Sequence, residues 1–151
     1  MNSQNFPYRL IIPSTKKELK LYYNLRYDVL RKAWNQTKKS VKDEWEDISL
    51  HVLMLNEQGE AIATGRLQFN SDQEGQIRSM AVKENFRNLG LGTIVLRFLE
   101  KQAMDKKLSS IILDARDKAV HFYEKNGYVS QGPSYILFDE IPHVKMSKQI
   151  V

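Results

Sequence analysis

The chain has 151 residues, of which 42% are hydrophobic and 27% charged, a composition typical of one globular domain with its own core. It contains no cysteine, which excludes disulfides, zinc–thiolate sites and a cysteine nucleophile, and its three scattered histidines disfavour a metal centre. The net charge of +5 comes from dispersed lysines, which disfavours a nucleic-acid groove but still suits a phosphorylated cofactor.

Apolar runs in the chain are all short. The first residues, MNSQNFPYRLIIP, lack the long apolar segment of a secretory signal. No run approaches the ~18 apolar residues of a membrane span. We therefore expect a cytoplasmic protein that does not associate with membranes.

The first elements are a strand and a helix. Residues 8–12 form a short apolar run closed by Pro13, which predicts a strand. Thr15 and Glu18 have the spacing of a capping box, and the segment behind them predicts an amphipathic helix.

A polar segment with two tryptophans follows, at residues 33–48, and it contains an acidic patch at residues 43–47. Two interpretations are open. The patch could face a cationic amine, or the segment could be a solvated loop whose tryptophan covers the edge of the core.

Residues 51–56 and 60–69 predict a β-hairpin, because a four-residue connection ending in Gly59 joins them. Gly65 inside the second run indicates a bulge or a close backbone approach.

Residues 76–103 read as a strand (76–82), a glycine turn (87–92) and a helix from Thr93 with one apolar face. Glycines allow a backbone to curl around a ligand, and the free N–H groups of a helix start attract negative charge. Arg87 adds a positive charge. The stretch therefore predicts a site for a phosphate-bearing ligand.

Two common phosphate-binding motifs do not fit this turn. A Walker A loop requires a lysine after its last glycine, but Gly92 is followed by Thr93. A dinucleotide fingerprint requires a third glycine, which is absent at that spacing. The pattern that fits is Arg/Gln-x-x-Gly-x-Gly/Ala, at residues 87–92.

The remaining elements are a buried strand (109–113), a helix (114–126) that Gly127 ends, and late strands. The late candidates are residues 128–130, 135–138 and 143–148, separated by Gly132-Pro133 and Pro142. The order β-α-β-β-β-α-β-α-β-β indicates an α/β fold with a mixed sheet.

Several motifs together resemble the GNAT N-acetyltransferase superfamily. Residues 80–82 resemble its strand before the glycine turn, and residues 119–128 (AVHFYEKNGY) resemble its Ala-x-x-Phe-Tyr-x-x-x-Gly-Phe signature. Residues 25–29 and 141–146 are similar to ElaA-type acetyltransferases. The resemblance spans about residues 20–148. It implies one N-acetyltransferase domain over residues 1–151, with a mostly antiparallel sheet of six to seven strands, flanking helices and splayed central strands.

The resemblance further implies an enzyme that moves the acetyl group of acetyl-CoA to a primary amine by direct attack in a ternary complex, without a metal. The coenzyme would contact the strand, the glycine turn and the later signature. The implied residues are Met80, Ala81, Val82, Arg87, Asn88, Leu89, Gly90, Leu91, Gly92, Thr93, Phe122 and Tyr123. A backbone N–H near Met80 would polarise the thioester carbonyl.

Tyr123 resembles the general acid of many relatives, which protonates the departing thiolate. Many relatives carry a glutamate two residues before Met80, but this chain has Arg78 there. His143 is a candidate base because its usual pKa suits that role. Glu44, Glu46 and Asp47 could instead neutralise or orient a cationic substrate.

Alternative functions remain open at this point. Because Arg78 replaces the usual carboxylate, the chain could be a non-catalytic acyl-CoA-binding or sensing module. A nucleic-acid binder is a weaker alternative. The acceptor, a small-molecule or peptide amine, is not defined by the sequence, and a homodimer through the late strands is a further hypothesis.

Overall fold

The computed structural model describes residues 6–151; residues 1–5, on which the expectation of no secretory signal partly depends, lie outside the described part. Within that part the elements follow the predicted order. The strands are β1 Arg9–Ile11, β2 Leu50–Leu55, β3 Ala61–Phe69, β4 Glu74–Val82, β5 Ser110–Arg116, β6 Val129–Leu137 and β7 Ile141–Gln149. The α-helices are α1 Lys16–Leu30, α2 Leu91–Asp105 and α3 Val120–Lys125.

The strands form one seven-stranded sheet in the order β1-β2-β3-β4-β5-β7-β6. Strands β4 and β5 run parallel, paired from Glu74 with Ser110 to Gln76 with Ile112. The pairs β1–β2, β5–β7 and β6–β7 are antiparallel. The predicted mixed, mostly antiparallel sheet is therefore confirmed, while the splay of its central strands stays a prediction.

The chain divides into two compact units. One comprises the chain up to Arg66 together with Ser79–Leu99. Its core includes Tyr22 of α1 packed with Leu53 and Leu55 of β2. The other unit comprises Leu67–Arg78 and Glu100–Val151, and its core includes buried residues of β5 and β7. The expectation of a single domain stays a prediction.

Helix α1 begins with the predicted capping box. The Thr15 hydroxyl accepts from the Glu18 N–H at 3.1 Å, and the Glu18 carboxylate accepts from the Thr15 N–H at 3.2 Å. Two backbone donors that the first turn cannot satisfy thereby find partners, and such a cap contributes about 1 kcal/mol.

The hairpin and the close approach at Gly65 are also confirmed. The Asn56 N–H donates to the Glu60 carbonyl at 3.1 Å across the turn. A Cβ on Gly65 would lie 2.8 Å from both Leu99 Cδ1 and Val95 Cγ1 of α2. Side chains of helix α2 thus pack directly on the backbone of β3, and a Cβ at position 65 would force them to shift.

The predicted helix at residues 114–126 is wrong in its first half. Strand β5 continues to Arg116, a 3-10 turn occupies Asp117–Ala119, and α3 begins only at Val120. The reason is the alternating burial of Ile111, Leu113 and Ala115, a period-two pattern stabilised by pairing with β7.

The late strands also differ from the prediction. Residues 128–130 and 135–138 do not form separate strands, because β6 runs through Gly132 and Pro133 with register shifts on both sides of Pro133. Proline is tolerated because β6 is an edge strand. Pro142 is the second residue of β7 rather than a separator.

Among the helices of residues 6–151, none has the length and apolar character needed to cross a membrane.

Candidate functional site

The glycine turn adopts the backbone that the motif requires. Asn88 and Gly90 have φ angles of 64° and 78°, in the left-handed region, and a Cβ on Gly90 would meet no atom within 4 Å. Helix α2 begins at Leu91, two residues earlier than predicted, because the Ile94 N–H donates to the Gly90 carbonyl at 3.3 Å. The turn therefore leads straight into the positive end of a helix.

This turn presents a row of unused donors. In the described part of the chain, the N–H groups of residues 88–92 make no hydrogen bond. Arg87 directly precedes them in the chain, and its Nε donates to the Val82 carbonyl at 3.2 Å. Unused N–H groups, a helix start and a guanidinium together suit a bound phosphate, so these residues fit a pyrophosphate group.

Strand β4 leads into this turn and is interrupted on the way. Ser79 has a φ angle of 56°, an unusual value for a non-glycine residue within a strand. Its carbonyl accepts a hydrogen bond from the Thr64 hydroxyl at 2.9 Å. Met80 and Val82 are partly buried and Ala81 is buried, so the side chains of this segment pack while its backbone is irregular.

Tyr123 lies on α3 in an aromatic environment. It packs edge-to-face on Phe122 and Tyr128, with ring centroids 5.0 and 5.7 Å apart, and is 7% exposed. Its hydroxyl makes no hydrogen bond to any residue from 6 to 151. Burial raises the pKa of Tyr123 well above its ordinary value, so the hydroxyl keeps its proton at neutral pH.

His143 lies on β7, opposite Arg116 of β5, and stacks on Tyr135 with centroids 4.5 Å apart. Its Nδ1 donates to the Ile141 carbonyl at 2.9 Å, which leaves Nε2 of the neutral ring as the acceptor. Burial lowers the pKa of His143, so the ring is neutral at pH 7. The side chain thus has the state that a general base requires.

Two carboxylates of the acidic patch, Glu46 and Asp43, have structural partners, whereas Glu44 and Asp47 are exposed. Glu46 is buried, and its carboxylate accepts from Arg26 Nη1 at 2.7 Å, from the Tyr23 hydroxyl at 3.1 Å and from Arg66 Nη1. Asp43 accepts two bonds from Arg66, each 3.0 Å long. Two guanidinium groups and two carboxylates therefore form a cluster of no net charge, in which only Asp43 is partly exposed.

The sequence analysis did not predict this cluster. An arginine, Arg66, within the apolar run of β3 was a signal that a buried charge needs a partner. The surface beside this cluster is basic. A cleft of about 560 Å³ between α1 and the 3-10 turn Lys38–Val41 has four lysines and no acidic residue in its lining. The lysines are Lys20, Lys38, Lys39 and Lys42.

Some of the predicted site residues contact one another in the structure, and others do not. The glycine turn and the end of β4 are joined through Arg87 and Val82, and Phe122 contacts Tyr123. His143 lies in a separate pair with Tyr135. No group of three histidine, aspartate or glutamate side chains within residues 6–151 could hold a metal ion.

Comparison with known proteins identifies similar sequences. The model of the Acetyltransferase (GNAT) family matches residues 19–128. An uncharacterized N-acetyltransferase, YjcF of Bacillus subtilis (strain 168), is 31% identical over 140 residues, covering 93% of this chain and 99% of YjcF.

Solved structures share the fold. An aminoglycoside 6′-N-acetyltransferase complexed with coenzyme A superposes with a TM-score of 0.79 at 15% identity, covering 95% of this chain and 97% of the other. Escherichia coli ElaA superposes with a TM-score of 0.77 at 18% identity, covering 93% and 97%.

Proposed function

Because the chain belongs to the GNAT acetyltransferase family, we propose that it moves the acetyl group of acetyl-CoA to a primary amine by direct attack in a ternary complex. The predictions of the family, of acyltransferase activity and of acetyl-CoA as co-substrate are confirmed at the level of the family. The observation that carries the finer proposal is the glycine turn, whose unused N–H groups fit a pyrophosphate.

The turn would hold the donor by its backbone. The N–H groups of residues 88–92 donate to the pyrophosphate, and Arg87 supplies a positive charge. Thr93 lies in the first turn of α2, where the helix dipole also favours an anion. Glycine suits position 90, because its φ angle of 78° disfavours a residue with a Cβ and a bare backbone allows phosphates to approach closely.

Strand β4 would hold the pantetheine arm. Backbone groups of Met80, Ala81 and Val82 bind its amides as an added strand would. The Met80 N–H donates to the thioester carbonyl oxygen and stabilises the negative charge that develops there during attack. Phe122 supplies apolar surface next to Tyr123.

The transfer requires one proton to be removed and one to be supplied. The amine nitrogen attacks the thioester carbonyl carbon, the C–S bond breaks, and the sulfur leaves as a thiolate. Tyr123 donates its hydroxyl proton to that sulfur, and His143 Nε2 accepts the proton that the amine loses. The raised pKa of Tyr123 and the lowered pKa of His143 place the two groups in these starting states.

An acyl-CoA-binding or sensing module is the second candidate, and Arg78 favours it. This residue takes the position at which the family resemblance predicts a glutamate, so the carboxylate expected on β4 is missing. A sensing module would share the donor site and lack turnover.

Thiol release from acetyl-CoA tests the proposal. Wild-type protein, incubated with polyamines, amino sugars, amino acids or lysine peptides, is expected to release coenzyme A with at least one class. The Tyr123→Phe variant should bind the donor normally and turn over about 100-fold more slowly, since general acid catalysis typically contributes that much. Donor binding without turnover of any amine would support the sensing module. Undiminished turnover by Tyr123→Phe would exclude Tyr123 as the acid.

Two expectations stay predictions. A homodimer through the late strands is suggested by the edge strand β6, whose Val129 and Ile136 are 66% and 62% exposed. The cytoplasmic location of the protein is the second of these predictions.

A further inference from the structure

Strand β4 contains a backbone conformation that needs external support. Ser79 lies in the left-handed region, with φ at 56°, in the middle of the strand. A Cβ makes this region unfavourable, so such a residue persists only where its surroundings hold it. Ser79 directly precedes Met80, whose N–H the proposed function places on the thioester carbonyl.

Thr64 of β3 supplies that support. Its side chain is fully buried, and its hydroxyl donates to the Ser79 carbonyl oxygen at 2.9 Å. An irregularity in a strand disrupts the ladder of backbone hydrogen bonds, which leaves a carbonyl in need of another donor. The threonine hydroxyl is that donor.

This bond also fixes the group that follows. The Ser79 C=O and the Met80 N–H belong to one planar peptide, and no cis peptide occurs among residues 6–151. In a trans peptide the two groups point in opposite directions, so holding the oxygen determines where the N–H points. Accepting a hydrogen bond at the oxygen also polarises the peptide and strengthens its N–H as a donor.

Gly65, the residue after Thr64, contacts the side chain of Met80. The position that a Cβ would occupy on Gly65 is 3.1 Å from the Met80 sulfur. The Met80 side chain therefore packs directly on the backbone of β3, next to the residue that bonds Ser79. Both sides of the Ser79–Met80 peptide are thus anchored to β3.

We propose that Thr64 is a positioning residue for acetyl transfer, whose hydroxyl orients the Met80 N–H toward the thioester carbonyl of the donor. The inference rests on the proposed function. Thr64 itself does not touch the donor, because its hydroxyl bonds Ser79 and the N–H acts on the other side of the peptide.

A matched pair of variants tests this role. Thr64→Val keeps the shape of the side chain and removes the hydroxyl, whereas Thr64→Ser keeps the hydroxyl. We expect kcat of Thr64→Val to fall by about 10- to 100-fold, a part of the 10²–10³ that loss of an oxyanion donor costs. The affinity for acetyl-CoA should not change, because the glycine turn is untouched. Thr64→Ser should keep most of the wild-type kcat.

A spectroscopic measurement gives a second readout that needs no acceptor. The carbonyl stretch of carbon-13-labelled acetyl-CoA, bound at saturation to folded protein, should shift to lower frequency in wild type and in Thr64→Ser. The shift should be smaller in Thr64→Val. Thr64→Ala also lacks the hydroxyl and adds no bulk, so it should show the same smaller shift and replaces the valine variant if that variant does not fold.

The outcomes separate the two proposals. Equal shifts and equal kcat in wild type and Thr64→Val would overturn the role of Thr64, as would equal losses in the valine and serine variants. A wild-type protein that binds acetyl-CoA without any shift, or does not bind it, would contradict the assignment of the Met80 N–H and with it the proposed function.

Discussion

His143 and His51 are both shielded from solvent, but their ring nitrogens are used differently. His51 Nε2 donates to the Glu46 carbonyl at 2.7 Å, and its Nδ1 accepts from the Tyr22 hydroxyl at 2.6 Å. His143 engages only Nδ1, with the Ile141 carbonyl. Of these two histidines, therefore, only His143 has a ring nitrogen available to accept a substrate proton.

The acid limb of the pH–rate profile tests this difference. Burial lowers the pKa of His143 below 6.5, so wild-type kcat/KM should stay level through neutral pH and fall only as the pH drops below 6.5. His143→Gln should lose that limb and reduce kcat/KM at pH 7 about 100-fold.

His51→Gln is the control for this experiment, because burial lowers the pKa of His51 as well. It should keep the acid limb, measured at a temperature at which the variant is folded. A His143→Gln variant with the wild-type limb and rate would show that another group is the base.

The glycine turn and the β2–β3 hairpin turn offer a matched comparison between two elements. Gly90 and Gly59 both have φ at 78°, and a Cβ on either would meet no atom within 4 Å. An alanine at each position thus imposes the same backbone strain without a clash. Only Gly90 lies where the phosphates are proposed to bind.

We expect Gly90→Ala and Gly59→Ala to lose similar stability, about 1–2 kcal/mol, in urea unfolding. Only Gly90→Ala should weaken coenzyme A binding, by about tenfold or more, because the added Cβ crowds the phosphates and weakens a hydrogen bond from the backbone to a charged group. Calorimetric titration with coenzyme A measures the difference. Equal affinities in the two variants would place the pyrophosphate elsewhere.

At the level of elements, local patterns predicted most of the structure. The capping box at Thr15, the hairpin turn at Gly59 and the apolar face of α2 are short-range features, because each is set by residues within one or two turns of the chain. The end of β5 was missed, since the extended conformation of residues 114–116 depends on pairing with β7, more than 25 positions later in the chain.

For the whole molecule, the stability is expected to depend on pH through buried groups. Burial lowers the pKa of His51 and His143 below 6.5. Burial alone would raise the pKa of Glu46, but the hydrogen bond and charge of Arg26, and then the charge of Arg66, hold it below 4.5. In each case the folded state binds fewer protons than the unfolded chain, so stability present at higher pH is lost as the pH falls.

The free energy of unfolding should therefore decrease in two stages, first below pH 6.5 as the histidines are protonated and again below pH 4.5 with Glu46. Glu46→Gln should lower the plateau near pH 7 by about 3–5 kcal/mol, because it leaves buried guanidinium groups without their carboxylate. It should also reduce the second stage.

Asp105→Asn is the control, because Asp105 pairs with Lys101 at the surface, where the two side chains are 54% and 65% exposed. Its effect should not exceed about 0.5 kcal/mol. The free energy of unfolding of the wild type, Glu46→Gln and Asp105→Asn is measured by denaturant unfolding from pH 3 to 8. A Glu46→Gln variant as stable as Asp105→Asn would show that the buried cluster does not stabilise the fold.

By itself, the sequence determined the order of the elements, the glycine turn at residues 87–92 and the family, because these depend on local spacing and on motifs. The tertiary structure decided the rest. Arg66 meets Glu46 across 20 positions, and Thr64 bonds Ser79 across 15. A local sequence pattern cannot predict such pairs, because the partners are far apart in the chain. They meet only in the folded protein, where buried charges and carbonyls require partners.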